Sequence, residues 1–210
     1  MIKLKTETSD FYQGLRRLGF ERSDDALFLI NNNQQFSDPQ INFHIEKAQD
    51  FGATAVFLRK QLNGSFKPQV YIYDFTGRDF VENELTEIQK KIWSSGESPL
   101  ACIFYKTEIK ILNCTTHITD DYKPVYLIKD LRITGEAHFL YNSQFSVKLK
   151  SGLFWDEEDN KSLFRFQNSS YDKLIENIKS IVYTLKKKYT KIADDLINKI
   201  IVQSILIKYL

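Results

Sequence analysis

The stretch Ala53–Phe75, ATAVFLRKQLNGSFKPQVYIYDF, constrains this chain more than any other. Two runs of alternating side chains flank Asn63-Gly64, a dipeptide suited to the positive backbone angles of a tight turn. The pattern predicts a β-hairpin. Alternation sets Val56, Leu58 and Gln61 opposite Val70, Ile72 and Asp74.

The flanking segments supply the other layers. VENELTEIQKKIWSSG carries Leu85, Ile88 and Ile92 on one helical stripe and ends at Gly96. PLACIFYKTEIKILNC reads as strand, turn at Lys106-Thr107, strand. PQINFHIEKAQDFG places Ile41, Ile45 and Ala48 at helical spacing before Gly52, although Asn42 to His44 also fit a strand. Upstream, TSDFYQGLRRL predicts a short helix capped by Ser9 or Asp10 and stopped by Gly19. ALFLI fits a buried strand or part of a helix, and the Asn/Gln run after it a loop. From Gln40 to Cys114 the order is helix or strand, β, β, helix, β, β, an α/β sandwich with a mixed sheet.

Past Cys114 the character changes. TTHITDDYKP is a polar connection, VYLIKDL an edge element, and EAHFLYNSQFSVKLKSGLFWDEEDN an irregular segment with one helix. Two helices close the sequence. One aligns Leu174, Ile178, Ile181, Val182 and Leu185, the other Leu196, Ile200, Ile201 and Ile205. The expected division is an α/β part over residues 1–130 and a helical linking or docking part over 131–210. Residues 196–210 are apolar almost all round, which predicts a buried helix. Such a helix either docks on or leads into something larger, or packs in its own core.

Several classes of chemistry lack their signatures. His44, His117 and His138 are scattered, and there is no Cys-x-x-Cys, Gly-x-Ser-x-Gly elbow or Gly-rich phosphate loop. Cys102 and Cys114 lie in strand-like runs and read as buried thiols of a reducing cytosol. The start lacks the apolar core of a signal peptide, and no run approaches the roughly 18 apolar residues of a membrane span. A cytoplasmic protein is expected. Trp93 and Trp155 read as core or interface. The acidic run WDEEDN, Trp155–Asn160, suits a solvated loop better than a cation site, and Lys186–Lys188 suit a helix end facing its dipole. Lysine and arginine total 29 against 27 acidic residues. Any nucleic-acid contact must therefore come from a local basic face, not a bulk field.

Helix, hairpin, helix, strand is an order that resembles the PD-(D/E)xK nucleases. Those enzymes hold Mg²⁺ between a carboxylate at the start of one hairpin strand and an acidic-x-Lys triplet on the next, the lysine helping to activate water. QKKIW, Gln89–Trp93, resembles the Gln-x-x-x-Tyr element that some carry on the following helix. At the decisive positions this chain has Ala53 or Thr54, then Tyr71-Ile72-Tyr73, with Asp74 as the lone carboxylate. The expectation is a nuclease-like scaffold without nuclease chemistry. The competing possibility is an active Mg²⁺-dependent endonuclease using Asp74 with Glu46 or a glutamate of the VENELTE helix.

The blocks ATAVFLRK, PQVYIYDFTG, ELTEIQKKIWSSGESPLACIFYKTEIKILNC, SGLFWDEEDN and IIVQSILIKYL, in this order and spacing, resemble the N-terminal region of bacterial adenine-specific DNA methyltransferases. These are restriction-modification proteins of the type IIG-like kind, and the resemblance covers residues 40–210. It implies a parent protein that methylates adenine from S-adenosylmethionine, in host marking or phage defence. The Asn-Pro-Pro-aromatic turn and the cofactor loop of that chemistry do not occur here, so no catalytic, metal or cofactor residue carries over. The role implied is an accessory one: contacting DNA or bracing a downstream methyltransferase domain. Candidate phosphate contacts are Arg59, Lys60, Lys67, Arg78, Lys90 and Lys91, equally readable as a solvated basic rim. A protein-interaction module docking through the C-terminal helices is the third possibility.

Overall fold

Strands β2 (Ala55–Lys60) and β3 (Phe66–Asp74) form the predicted antiparallel hairpin. They sit in the computed structural model, which describes residues 9–23, 25–30, 35–116, 118, 123–132, 144–164, 170–189 and 194–209. Its register differs from simple alternation across Asn-Gly. Val56 pairs with Tyr71 and Phe57 with Val70, and an irregularity between Phe57 and Leu58 then brings Leu58 opposite Pro68. The connection is five residues, 61–65, rather than two, and this moves the cross-strand partners.

Helix α1 (Asp10–Arg17) starts at Ser9, whose hydroxyl accepts from the Tyr12 amide. A short 3₁₀ turn (Phe20–Ser23) leads to β1 (Leu27–Leu29). ALFLI is thus a strand. Helix α2 (Pro39–Asp50) is capped by Asp38 and begins with Pro39, whose missing amide costs nothing in a first turn. The strand option for Asn42–His44 falls away. Helix α3 (Glu82–Ser95) ends at Gly96 as expected. Strands β4 (Leu100–Phe104), β5 (Glu108–Asn113) and β6 (Tyr126–Arg132) follow.

The six strands lie in sequence order, β1 to β6, in one open mixed sheet. Neighbours are antiparallel except β3 and β4, the parallel pair that α3 connects. Both faces of the sheet are covered. On one, Phe57, Val70, Ile72, Cys102 and Phe104 pack with Phe11 and Leu15 of α1. On the other, Val56, Leu58, Tyr71, Tyr73 and Ile103 pack with Ile41 and Ile45 of α2 and Leu85 and Ile92 of α3. Coverage on both sides explains the near-continuous apolar run of β4.

The first face has a further cover. Residues 145–163 form three short helices, α4 (Phe145–Ser151), α5 (Leu153–Asp156) and α6 (Glu158–Leu163), where the sequence pattern predicts one helix in an irregular segment. Phe145, Leu149, Phe154 and Phe164 join the same core as α1. WDEEDN is correspondingly helical and anchored rather than a solvated loop. Trp155 donates its indole N–H to Gln69 Oε1 at 2.7 Å, and Glu157 accepts from Lys148 Nζ at 2.5 Å. The chain accordingly divides after Phe166, not near residue 130.

The second unit contains α7 (Ser170–Lys188) and α8 (Asp194–Tyr209). Lys186–Lys188 occupy the last turn of α7, where cations suit the helix dipole. The burial expected of the apolar final helix is incomplete. Ile197 is buried, while Leu196, Ile200 and Val202 are about half exposed. None of the helices described is long and apolar enough to cross a membrane.

Candidate functional site

The nuclease-like positions lie around β3, and the sheet separates them. Tyr71 and Tyr73 point to the α2/α3 face and are 0% and 1% exposed. Tyr73 donates to the Phe51 carbonyl at 3.4 Å, whereas the Tyr71 hydroxyl has no hydrogen-bond partner among the described residues. Burial holds both phenols far above the ordinary tyrosine range. They are core aromatics, in positions that solvent, substrate or ion does not reach.

Asp74 has the strand parity of Val70 and Ile72 and so belongs to the α1 face, where Tyr12 lies. Burial first, and then the Asp74 carboxylate, raises the Tyr12 phenol above its ordinary range. Asp74 Oδ1 is engaged by the Thr76 hydroxyl at 2.6 Å and the Thr76 amide at 3.1 Å. Its own amide donates to Thr54 Oγ1 at 3.0 Å. Thr54 and Asp74 thus fasten two strand ends together and shape the turn after β3. Glu46 lies on the exposed side of α2, and Glu82, Glu84 and Glu87 lie on α3, both across the sheet from Asp74. Glu84 is held by Arg78 at 2.8 Å. The pairing that an active endonuclease would need is not assembled. Among the described residues there is no group of three or more His, Cys, Asp and Glu placed to hold a metal.

Gln89 is fully buried and acts on backbone. Its Nε2 donates to the carbonyls of Asn113 (2.5 Å) and Val125 (3.3 Å), and its Oε1 accepts from the Val125 amide (2.8 Å). It fastens the end of β5 to the approach to β6, both of its amide hydrogens are spent on backbone carbonyls, and it is fully buried.

The six candidate cations fall into separate places. Arg59 and Lys67 are cross-strand partners near the hairpin tip, and Lys60 precedes the loop. The Arg59 guanidinium turns onto α4, donating to the Ser151 carbonyl at 3.2 Å and filling the space where a side chain on Gly152 would sit. Lys60 lies over the Phe66 ring at 5.8 Å, and Lys67 is exposed. Arg78 lies beyond the opposite end of β3, about 25 Å of strand away at ~3.3 Å per residue. It stacks on Phe75 at 4.3 Å while holding Glu84. Lys90 pairs with Glu87 at 2.9 Å, and Lys91 is an exposed neighbour on α3. Only the hairpin group forms a local cluster.

Sequence reasoning missed a charged and aromatic corner on the α3 face. Lys110 is 3% exposed, pairs with Glu108 at 3.0 Å and lies 4.6 Å from the Phe80 ring. Beside it, burial and then Glu84 push the Tyr105 phenol up to about 12. A signal existed: in EIKIL, Lys110 shares the parity of Leu112 within a buried strand. His44, isolated in the sequence, also has a defined structural part. It bonds the Phe66 carbonyl through Nε2 at 3.0 Å, and Gln40 Oε1 accepts from the Phe66 amide at 3.1 Å. His117 and His138 lie outside the described residues. Cys102 and Cys114 are buried as expected, and burial raises both thiols well above their ordinary range.

Compared with known proteins, the chain matches no family model, no curated protein and no solved structure.

Proposed function

We propose that this chain is a non-catalytic accessory domain of a DNA adenine methyltransferase or restriction-modification protein, with a restriction-endonuclease-like scaffold adapted to contact DNA. The observation that supports the non-catalytic part of the reading is the state of β3. The strand arrangement of a hairpin, a crossover helix and a parallel strand is present. Yet Tyr71 and Tyr73 are core residues, and Asp74 faces away from the carboxylates that could join it. Cleavage of phosphodiesters needs charge stabilisation at one point, and here the acids are dispersed. S-adenosylmethionine chemistry belongs in this reading to the parent protein, not to this chain.

The half-exposed apolar side chains Leu174 and Ile181 of α7 and Leu196 and Ile200 of α8 favour a second role for the helical unit, docking on the methyltransferase domain. The test is direct. The purified chain is titrated against a labelled duplex and separately incubated with supercoiled DNA and Mg²⁺ or Mn²⁺. Salt-dependent binding without nicking is expected. Metal-dependent cleavage would overturn the non-catalytic reading, and Asp74→Asn would then tell whether the site lies at β3, where cleavage is lost, or elsewhere, where it survives.

A further inference from the structure

We propose that the tip of the β2–β3 hairpin is a DNA contact in which Leu62 acts as an apolar wedge in the minor groove and Lys60 and Lys67 hold the flanking phosphates. The assignment rests on the DNA-contacting reading above and names the surface that carries it.

Leu62 is the starting point. It is fully exposed, more so than any other large apolar side chain described. The turn holds it there. The Gly64 amide donates to the Gln61 carbonyl at 2.9 Å, which closes a four-residue turn with Leu62 and Asn63 at its centre. Gly64 takes a φ of 85°, and the Gln61 amide donates to the Ser65 carbonyl at 2.7 Å. Asn63 Oδ1 accepts from both the amide and the hydroxyl of Ser65. A leucine at the apex of a turn so fully bonded cannot fold back onto the sheet.

The ribbon beneath the turn is braced on both faces. On one, Arg59 is tied to Ser151 of α4. On the other, Gln40 and His44 of α2 hold both backbone groups of Phe66. Residues 60–65 lie beyond these braces, and Lys67 is one residue inside them. The charge is also local. Between Ala55 and Tyr73 there are three cations and no acidic residue, in a chain whose charges otherwise nearly balance. A rigid, cation-flanked apex with one aliphatic side chain matches the chemistry by which proteins enter the minor groove and part a base step. It matches a membrane surface poorly. One leucine gives about 2 kcal/mol on burial and each lysine about 1 kcal/mol near anionic lipid, too little to hold a domain there.

The experiment uses the full chain and a duplex carrying 2-aminopurine, whose fluorescence rises on unstacking. Wild type is expected to bind with a salt-dependent affinity and to raise the fluorescence. Lys60→Glu/Lys67→Glu should weaken binding at least tenfold and lower the salt slope by about 2, one for each phosphate that is no longer neutralised. Leu62→Ser should keep the salt slope and abolish the fluorescence rise. The changes are at exposed sites, and unchanged thermal melts show that the fold persists. If wild type binds duplex and the variants bind equally well, the hairpin assignment fails while the DNA reading stands. If wild type binds no duplex at low salt, both fail. Binding instead to phosphatidylserine vesicles through Leu62 would overturn the assignment in favour of a membrane contact.

Discussion

The two faces of the sheet are both buried but built differently. The α1 face is built around aromatic rings: Phe11, Phe20, Phe57, Ile72, Phe104 and Phe145 meet edge to face or through aliphatic neighbours, and its buried polar side chains Gln69, Ser146 and Asn160 are each tied to Trp155, the Gly19 carbonyl or the Phe154 carbonyl. The α2/α3 face carries hydroxyls, an amide and a charge inside the same kind of layer: Tyr71, Tyr73, Tyr105, Gln89 and Lys110. The first face combines edge-to-face ring packing with a few polar groups that each have a partner. The second depends on where each polar atom finds its partner, because an unmatched one costs free energy in a dry interior. Polar residues on a buried face are thus no sign of a site. Gln89 binds backbone, and the tyrosines fill volume.

Substitutions should expose that difference. Phe57→Ala, on the α1 face, should cost about 3–5 kcal/mol in denaturant unfolding, from forfeited transfer energy and the cavity left behind. Gln89→Ala should cost about 2–3 kcal/mol, since it strands the Val125 amide and the carbonyls beside it. Gln89→Glu should not rescue it, because the carboxylate cannot donate to those carbonyls. A loss under about 1 kcal/mol in Gln89→Ala would show that water replaces the amide.

Alkaline titration tests the tyrosines of the second face. The folded Tyr105 holds its proton up to about pH 12, against an ordinary value near 10. Below about pH 10 folded and unfolded chains are both protonated there, and the contribution is complete. Between about pH 10 and pH 12 the unfolded chain releases the proton and the folded chain keeps it, so stability falls as pH rises. Tyr71 and Tyr73 are raised further and act in the same direction. The denaturation midpoint should drop as pH rises from about 10 to about 12, and tyrosinate absorbance should appear in step with unfolding. A flat midpoint would mean that these phenols are solvated.

The smallest effect is expected at Tyr71. Its hydroxyl is buried without a partner among the described residues, so Tyr71→Phe should leave stability unchanged or raise it by up to about 1 kcal/mol. A loss above about 1 kcal/mol would reveal a bound water or a partner beyond the described residues.

Much of this arrangement is readable from the residues, for identifiable reasons. Asn63-Gly64 marks the hairpin, and Leu85, Ile88 and Ile92 with Gly96 mark α3, because turn chemistry and one-sided stripes are local signals. The facing of β3 is not legible. In a strand buried on both sides, parity does not name the layer that each side chain meets, and the shift at Phe57/Leu58 alters the cross-strand partners. Helices α4–α6 escape the sequence pattern because segments of seven, four and six residues are too short to establish a period, and their contacts with α1 and β2 are distant in sequence. The site suffers most. Thr54, Asp74 and Gln89 look like chemistry when read by type, and their roles emerge only with the backbone groups they bind.

The brace between Arg59 and Ser151 joins positions 92 apart in the chain, and that from Ser146 to Gly19 joins positions 127 apart. The hairpin ladder, by contrast, closes across five residues. Local ladders form on the microsecond scale, whereas contacts of long sequence separation wait for the intervening chain to order. The ribbon therefore acquires its shape early and its direction late. In the folded chain the direction of the Leu62 tip rests on contacts from both α2 and α4, so a change in either element is expected to alter it.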